Sequence, residues 1–295
     1  MTTPQFTSNR DNYCYRHPDR QSFVLCQRCM RTICPECQTQ AAVGVICPEC
    51  MAEQRKSRTP AQKRAARRWG RGGAATVAQD GRPVITYGII ALTAFVGLLQ
   101  LIPTFGEQVT GALLFWAPYL YPDLTGTSQP WRLLTATLVH GGIWHFALNM
   151  LALWMIGRSL EPMLGRWRFL VLYVLGGIGG SVAVACIAPL TSTVGASGAV
   201  FAMFGALLVI GRHVGANVTG IIVILGINLV IGFIPDFNIA WQAHIGGAAV
   251  GALVALVYTR TRRREQRVWQ ILLLAAVAVV LGVLVAIVPP LVLLG

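Results

Sequence analysis

Residues 195–214 read GASGAVFAMFGALLVIGRHV. Gly195-Ala196-Ser197-Gly198 is a turn leading into a helix, and the apolar run behind it continues to Gly211 before the first charge, Arg212. Gly198, Ala202 and Ala206 recur every four residues, so a helix here carries a smooth stripe of small side chains on one face. Backbone N–H groups at such a helix start are unpaired and point toward incoming negative charge. A Ser at the head of an apolar span is a candidate functional group, because polar side chains are costly in lipid.

The composition around this run is that of a membrane protein with a soluble head. Hydrophobic residues make up 55% of the 295-residue chain and charged residues 12%, about half the share in a soluble globular domain. Residues 1–82 hold 14 of the 24 Lys and Arg and 6 of the 11 Asp and Glu, a net of +8. The other 213 residues carry 15 charges, bunched between apolar runs. One soluble globule, a disordered chain and a fibrous repeat are excluded.

Apolar windows near the ~20 residues a bilayer crossing needs fall at 84–102, 142–157, 168–188, 197–211, 218–234, 241–258 and 268–292. Seven spans are therefore expected. With the N-terminus inside, the inner connections carry Arg158, Arg166, Arg168, Arg212, Arg260, Arg262, Arg263, Arg264 and Arg267, and the outer ones only Arg132. That bias places the head in the cytoplasm and the C-terminus outside. Nothing in the first 80 residues resembles a signal peptide. The expected location is the cytoplasmic membrane of a bacterium. The long outer connection, about 103–141, holds Trp116, Tyr119, Tyr121 and Trp131 and is expected to pack at the outer leaflet.

The head contains Cys14-x-x-His17, Cys26-x-x-Cys29, Cys34-x-x-Cys37 and Cys47-x-x-Cys50. Two residues between ligands let both side chains turn onto one metal, and Cys/His sets suit tetrahedral zinc. Eight ligands fill two closed structural sites. Seven Cys with a His in register fit a disulfide framework poorly, and cytosolic thiols stay reduced. The spacing resembles the B-box family of zinc modules. Their interleaved pattern would pair Cys14, His17, Cys34 and Cys37 on one ion and Cys26, Cys29, Cys47 and Cys50 on the other, while sequential pairing stays open. The basic stretch after Cys50 suits anionic lipid or a cytoplasmic protein partner better than nucleic acid, because it leads directly into a span.

Polar residues in or beside the spans are few: His140, His145, Asn149, Ser197, Asn228, Gln242 and His244. Spans two, four and six enter from the outer face, and His145, Ser197 and His244 each lie within a few residues of that boundary. On span six, His244, Gly247 and Gly251 share a helix face, and Gly247-x-x-x-Gly251 is a close-packing signal. Docking this face on the Gly198 stripe brings Ser197 toward His244, an imidazole able to take the hydroxyl proton. Glu161 reads as a local ion pair or cap in a basic inner loop, and Asn228, His213 and Cys186 as structural.

The joint pattern of Trp131-Arg132, His145-x-x-x-Asn149, Gly195-x-Ser197-Gly198 and Ala243-His244-x-x-Gly247-x-x-x-Gly251 resembles the rhomboid intramembrane serine proteases. The resemblance covers about 84–259. It implies a six-helix core with Ser197 as nucleophile and His244 as general base, and no catalytic metal. It also implies His145, Asn149 and the Ser197 N–H as oxyanion donors, with Trp131 and Arg132 as structural loop residues. Phe201 stands where the family often has Tyr.

The expected architecture is an all-α polytopic membrane protein: a zinc-stabilised domain (1–54), a basic juxtamembrane linker (55–82), a six-span rhomboid-like core (83–260) and a basic loop with a seventh span (261–295). The expected activity is cleavage of transmembrane segments of membrane proteins near the outer face, with span five and the connection Phe233–Trp241 as gate and cap. A catalytically silent client-binding escort, or a transporter, is the alternative.

Overall fold

The computed structural model describes residues 10–40, 45–57, 82–232, 234 and 239–293. Most of the linker and of the connection Phe233–Trp241 lie outside them. The chain divides into two compact units, Met1–Arg64 and Ala65–Gly295.

The N-terminal unit has little regular structure. Strands β1 (Thr39–Gln40) and β2 (Val45–Ile46) pair antiparallel, and helix α1 (Pro48–Lys56) follows. Six buried cysteines with Ile33 and Ile46 make up its interior, and the half-buried Cys29 packs against them. So small a core cannot by itself offset the chain entropy of folding.

The second unit is helical. Its long elements are α2 (Val84–Gln100), α3 (Phe105–Leu113), α4 (Ile143–Leu164), α5 (Arg166–Ile187), α6 (Ser197–Val214), α7 (Thr219–Gly232), α8 (Trp241–Arg260) and α9 (Arg267–Leu293). By length and composition α5, α6, α8 and α9 can each cross a membrane, and α4 passes together with the bent segment Arg132–Leu138 before it. Helices α2 and α7 are apolar but shorter, at 17 and 14 residues.

The most extensive helix pair is α6 with α8, and α5 packs on both. The small-residue face of span six is what brings α8 so near. A Cβ on Gly247 would lie 2.0 Å from the Gly198 carbonyl oxygen, and one on Gly251 2.0 Å from that of Ala202. Backbones meet here at a separation that excludes any side chain.

The long first connection is structured throughout. Helix α3 opens it, and the Phe115 main chain bridges Thr193 in both directions, at 3.0 and 2.8 Å. Arg132, buried, donates to the carbonyls of Gly111 (2.7 Å) and Leu114 (2.8 Å) and to Gln129 Oε1 (2.6 Å). Its guanidinium also lies over the Tyr119 ring at 4.2 Å. Trp131, by contrast, is exposed.

One expectation is corrected. Glu161 is not in a loop, and the cap it provides is for a distant helix rather than a local one. It is buried within α4, where its carboxylate accepts from Ile85 N (3.0 Å), Thr86 N (2.8 Å) and Thr86 Oγ1 (2.8 Å). Helix α2 begins after Pro83 with no side-chain cap of its own, so Glu161 satisfies its first-turn amides from a distant helix. Gly165 alone joins α4 to α5, at a φ of 86°.

Arg168, expected in a connection, lies in the first turn of α5 and joins three helices. Its Nε donates to Gln270 Oε1 (3.0 Å), Gln270 donates to the Thr261 carbonyl (2.9 Å), and Tyr258 Oη donates to the Arg168 carbonyl (2.9 Å). This node ties the start of α5 and the start of α9 to the end of α8.

Candidate active site

Ser197 is the first residue of α6, half-buried, behind a turn in which Gly195 has a φ of 114°. That backbone conformation is one L side chains rarely adopt. The turn is held from two sides. Gly195 N donates to the Ala136 carbonyl at 2.8 Å, and Ala196 N donates to His140 Nε2 at 3.4 Å.

His244 lies in the first turn of α8 and is buried, 7% exposed. The contact between Gly247 and the Gly198 carbonyl puts its turn of α8 against the Ser197 turn of α6. Phe201, one turn beyond Ser197, lies flat against the His244 ring, with centroids 4.0 Å apart and planes 8° from parallel. His244 Nδ1 is buried with no hydrogen-bond partner among the described residues. Phe201 therefore orients the ring through its face, and no carboxylate among the described residues orients it through its edge.

His145 and Asn149 occupy successive turns of α4. Gly141 N donates to His145 Nδ1 at 3.3 Å. An Nδ1 that accepts is unprotonated, so the neutral ring carries its proton on Nε2. A Cβ on Gly195 would fall 2.7 Å from that Nε2, which places the N–H beside the Ser197 turn. The Asn149 amide donates to the His145 carbonyl at 2.8 Å and is 7% exposed.

His145, His244 and Phe201 thus gather around the Ser197 turn, with Asn149 one turn further along α4. Trp131 and Arg132 do not join them but belong to the connecting loop. Asn228 donates to the Ile224 carbonyl of its own helix at 2.9 Å. His140 is the residue whose part the spacing did not disclose. It accepts from Ala196 N, sits edge-on to His145 with centroids 5.1 Å apart, and is gripped by Gln100 through two main-chain hydrogen bonds of 3.1 Å. The available signal was Gln100, a polar residue at the end of an apolar span. A cavity of about 480 Å³ opens beside this group, lined by Gln100, Glu107, Thr110, His140 and Phe146 but not by Ser197 or His244.

In the N-terminal unit, Cys14, His17, Cys34 and Cys37 form one cluster and Cys26, Cys29, Cys47 and Cys50 another, with the ligand atoms of each within 4.8 Å of one another. This grouping is interleaved along the chain. His17 Nδ1 lies 3.3 Å from Cys34 Sγ, 3.5 Å from Cys37 Sγ and 3.8 Å from Cys14 Sγ, and Cys29 and Cys47 sulfurs are 3.8 Å apart. Tetrahedral zinc with Zn–S near 2.3 Å requires sulfur separations of about 3.8 Å, so the donor sets fit that ion.

The thiols also titrate unequally. Burial opposes ionisation of Cys14, but backbone N–H groups of Cys34, Arg16 and His17 outweigh it and bring the thiol down to about 6. Burial, then the neighbouring sulfurs, push Cys37 up to about 11 and Cys50 up to about 12. Four crowded sulfurs cannot all ionise near neutral pH without a cation among them.

Comparison with known proteins bears on the membrane unit. A rhomboid domain model matches residues 127–261. The chain is 39% identical over 215 residues to GluP of Bacillus subtilis (strain 168), named a rhomboid protease, covering 70% of this chain and 41% of that protein. It is 31% identical over 197 residues to YdcA of the same organism, covering 62% of this chain and 92% of that protein. RHOMBOID-like protein 4 of Arabidopsis thaliana is 37% identical over 136 residues, covering 44% of this chain and 34% of that protein. The chain thus spans less than half the length of two of these relatives and nearly all of the third. Identity at that level across almost the whole of YdcA makes the chain a member of the rhomboid family.

Proposed function

We propose that this chain is an intramembrane serine endopeptidase that cleaves transmembrane segments of other membrane proteins near the outer face. The observation that carries the reading is the seating of the Ser197 turn of α6 against the His244 turn of α8, with the His244 ring flat on Phe201. In this mechanism His244 takes the Ser197 hydroxyl proton as Oγ attacks the scissile carbonyl, then returns it to the leaving amine. Water arriving from outside hydrolyses the acyl-enzyme. The developing oxyanion is met by the Ser197 N–H, by the Nε2 proton of His145 and by the remaining N–H of Asn149. The unpartnered Nδ1 of His244 favours a dyad over a triad.

The substrate carbonyl must leave its own helix to be attacked, so substrates with helix-breaking residues near the cleaved bond are favoured. The arginine bias puts the N-terminal unit in the cytoplasm and the C-terminus outside, with seven spans in a bacterial cytoplasmic membrane. Two zinc ions, on Cys14/His17/Cys34/Cys37 and Cys26/Cys29/Cys47/Cys50, supply the folding energy of that unit. It engages a cytoplasmic protein partner or the lipid surface.

The deciding experiment is reconstitution in liposomes with a single-span substrate, comparing wild type with Ser197→Ala and reading fluorophosphonate labelling in parallel. Cleavage and labelling that disappear together in the variant are the expected result. A folded wild type that neither cleaves nor labels would overturn the protease in favour of a client-binding escort.

A further inference from the structure

Helix α9 contains Pro289 and Pro290 without breaking. A proline has no N–H, so the carbonyl four residues before it loses its helical partner. For Pro289 that carbonyl belongs to Val285. In a bilayer an unpaired carbonyl is costly and must find a donor elsewhere. The donor here is Tyr121, whose Oη lies 2.6 Å from the Val285 oxygen across 164 positions of sequence.

Tyr121 belongs to the connection between α3 and α4. Around the bond Tyr121 and Val285 pack, with Leu293, on a cluster of Phe115, Ala117, Leu120, Ala136, Val184 and Ala185. Two members of that cluster hold the nucleophile turn. The Phe115 main chain pairs with Thr193, and the Ala136 carbonyl accepts from Gly195 N. Ala243, next to His244, packs on the same cluster.

We infer that Tyr121 is a positioning residue: by satisfying the carbonyl that Pro289 leaves open, it ties α9 to the loop that holds the Ser197 turn. The inference rests on the protease reading for its consequence in turnover, though not for the tie itself. Helix α9 then serves the site without touching substrate. Pro289 is the means by which a loop tyrosine is recruited.

The test compares Tyr121→Phe, Pro289→Ala and the double variant in liposomes, with amide hydrogen exchange on the same samples. Tyr121→Phe removes one hydroxyl and no packing. It is expected to lower kcat roughly three- to ten-fold, the range one buried hydrogen bond supports, with KM unchanged. Exchange should quicken at 113–121 and 191–197. Pro289→Ala gives the Val285 carbonyl a helical N–H again, so adding Tyr121→Phe to it should cost less than about two-fold. A generally weakened fold would instead make the two losses add.

Wild-type kcat in Tyr121→Phe, or a double variant several-fold slower than Pro289→Ala alone, would overturn the inference. Should wild type fail to cleave and label, the protease reading falls and the exchange arm decides the tie. Faster exchange in Tyr121→Phe that is no faster in the double variant than in Pro289→Ala alone supports it, and unchanged exchange refutes it.

Discussion

Gly195 concentrates several constraints in one residue. Its φ of 114° is strained for any L side chain, and the space a Cβ would need is taken by His145, whose Cε1 and Nε2 would lie 2.6 and 2.7 Å away. Gly195→Ala must therefore move the imidazole, reopen the turn, or both. Losing one oxyanion donor lowers turnover by about 100-fold or more. On the proposed oxyanion role of His145, the expected outcome is a loss of kcat of at least about that size in protein that still folds, with a thermal midpoint lowered by the strain, both measured on the same preparation. Full turnover would remove His145 from the mechanism. The spacing of the motifs made Ser197, His244, His145 and Asn149 candidates, because helical periodicity turns spacing into a shared face. His140 escaped because its partner, Ala196 N, is a main-chain group 56 positions away. No side-chain pattern records such a bond.

At the scale of elements, the apolar windows fall on helices within a few residues at most ends, since hydropathy reports the lipid-facing surface directly. The second window stops at 157 whereas α4 continues to Leu164, and the difference is instructive. Arg158 and Glu161 look like loop residues to any composition argument. Yet Glu161 is 2% exposed, and its charge is satisfied by the orphan amides of α2. Gln in its place offers one acceptor oxygen to three donors. Glu161→Gln is expected to cost about 1–3 kcal/mol of stability, read as a lower unfolding midpoint in detergent. Below that midpoint kcat should be unchanged, because sixteen residues of helix, about 24 Å, separate Glu161 from His145. A variant of wild-type stability would show that α2 finds its cap elsewhere.

The whole molecule combines two solutions to the problem of folding without a large soluble core. The membrane unit uses close backbone contact between helices, and the N-terminal unit gathers eight ligands in two clusters. Two zinc ions per chain are expected by elemental mass spectrometry of purified protein. Their removal by a chelator should make residues 10–57 protease-sensitive. Cleavage by the membrane unit should stay within about two-fold in liposomes, as for independent parts. Metal-free protein whose head resists proteolysis would refute the metal dependence, and collapse of cleavage would refute the modularity.

The cap on α2 also has a consequence for biosynthesis. Thr86 and Glu161 are 75 positions apart. At about 5–20 residues per second, a ribosome needs roughly 4 to 15 seconds after making the first to deliver the second. During that interval the leading turn of α2 has no internal acceptor and must remain wet, at the headgroups. In the proposed topology α2 would enter the membrane provisionally, its final depth set only when α4 is threaded in behind it.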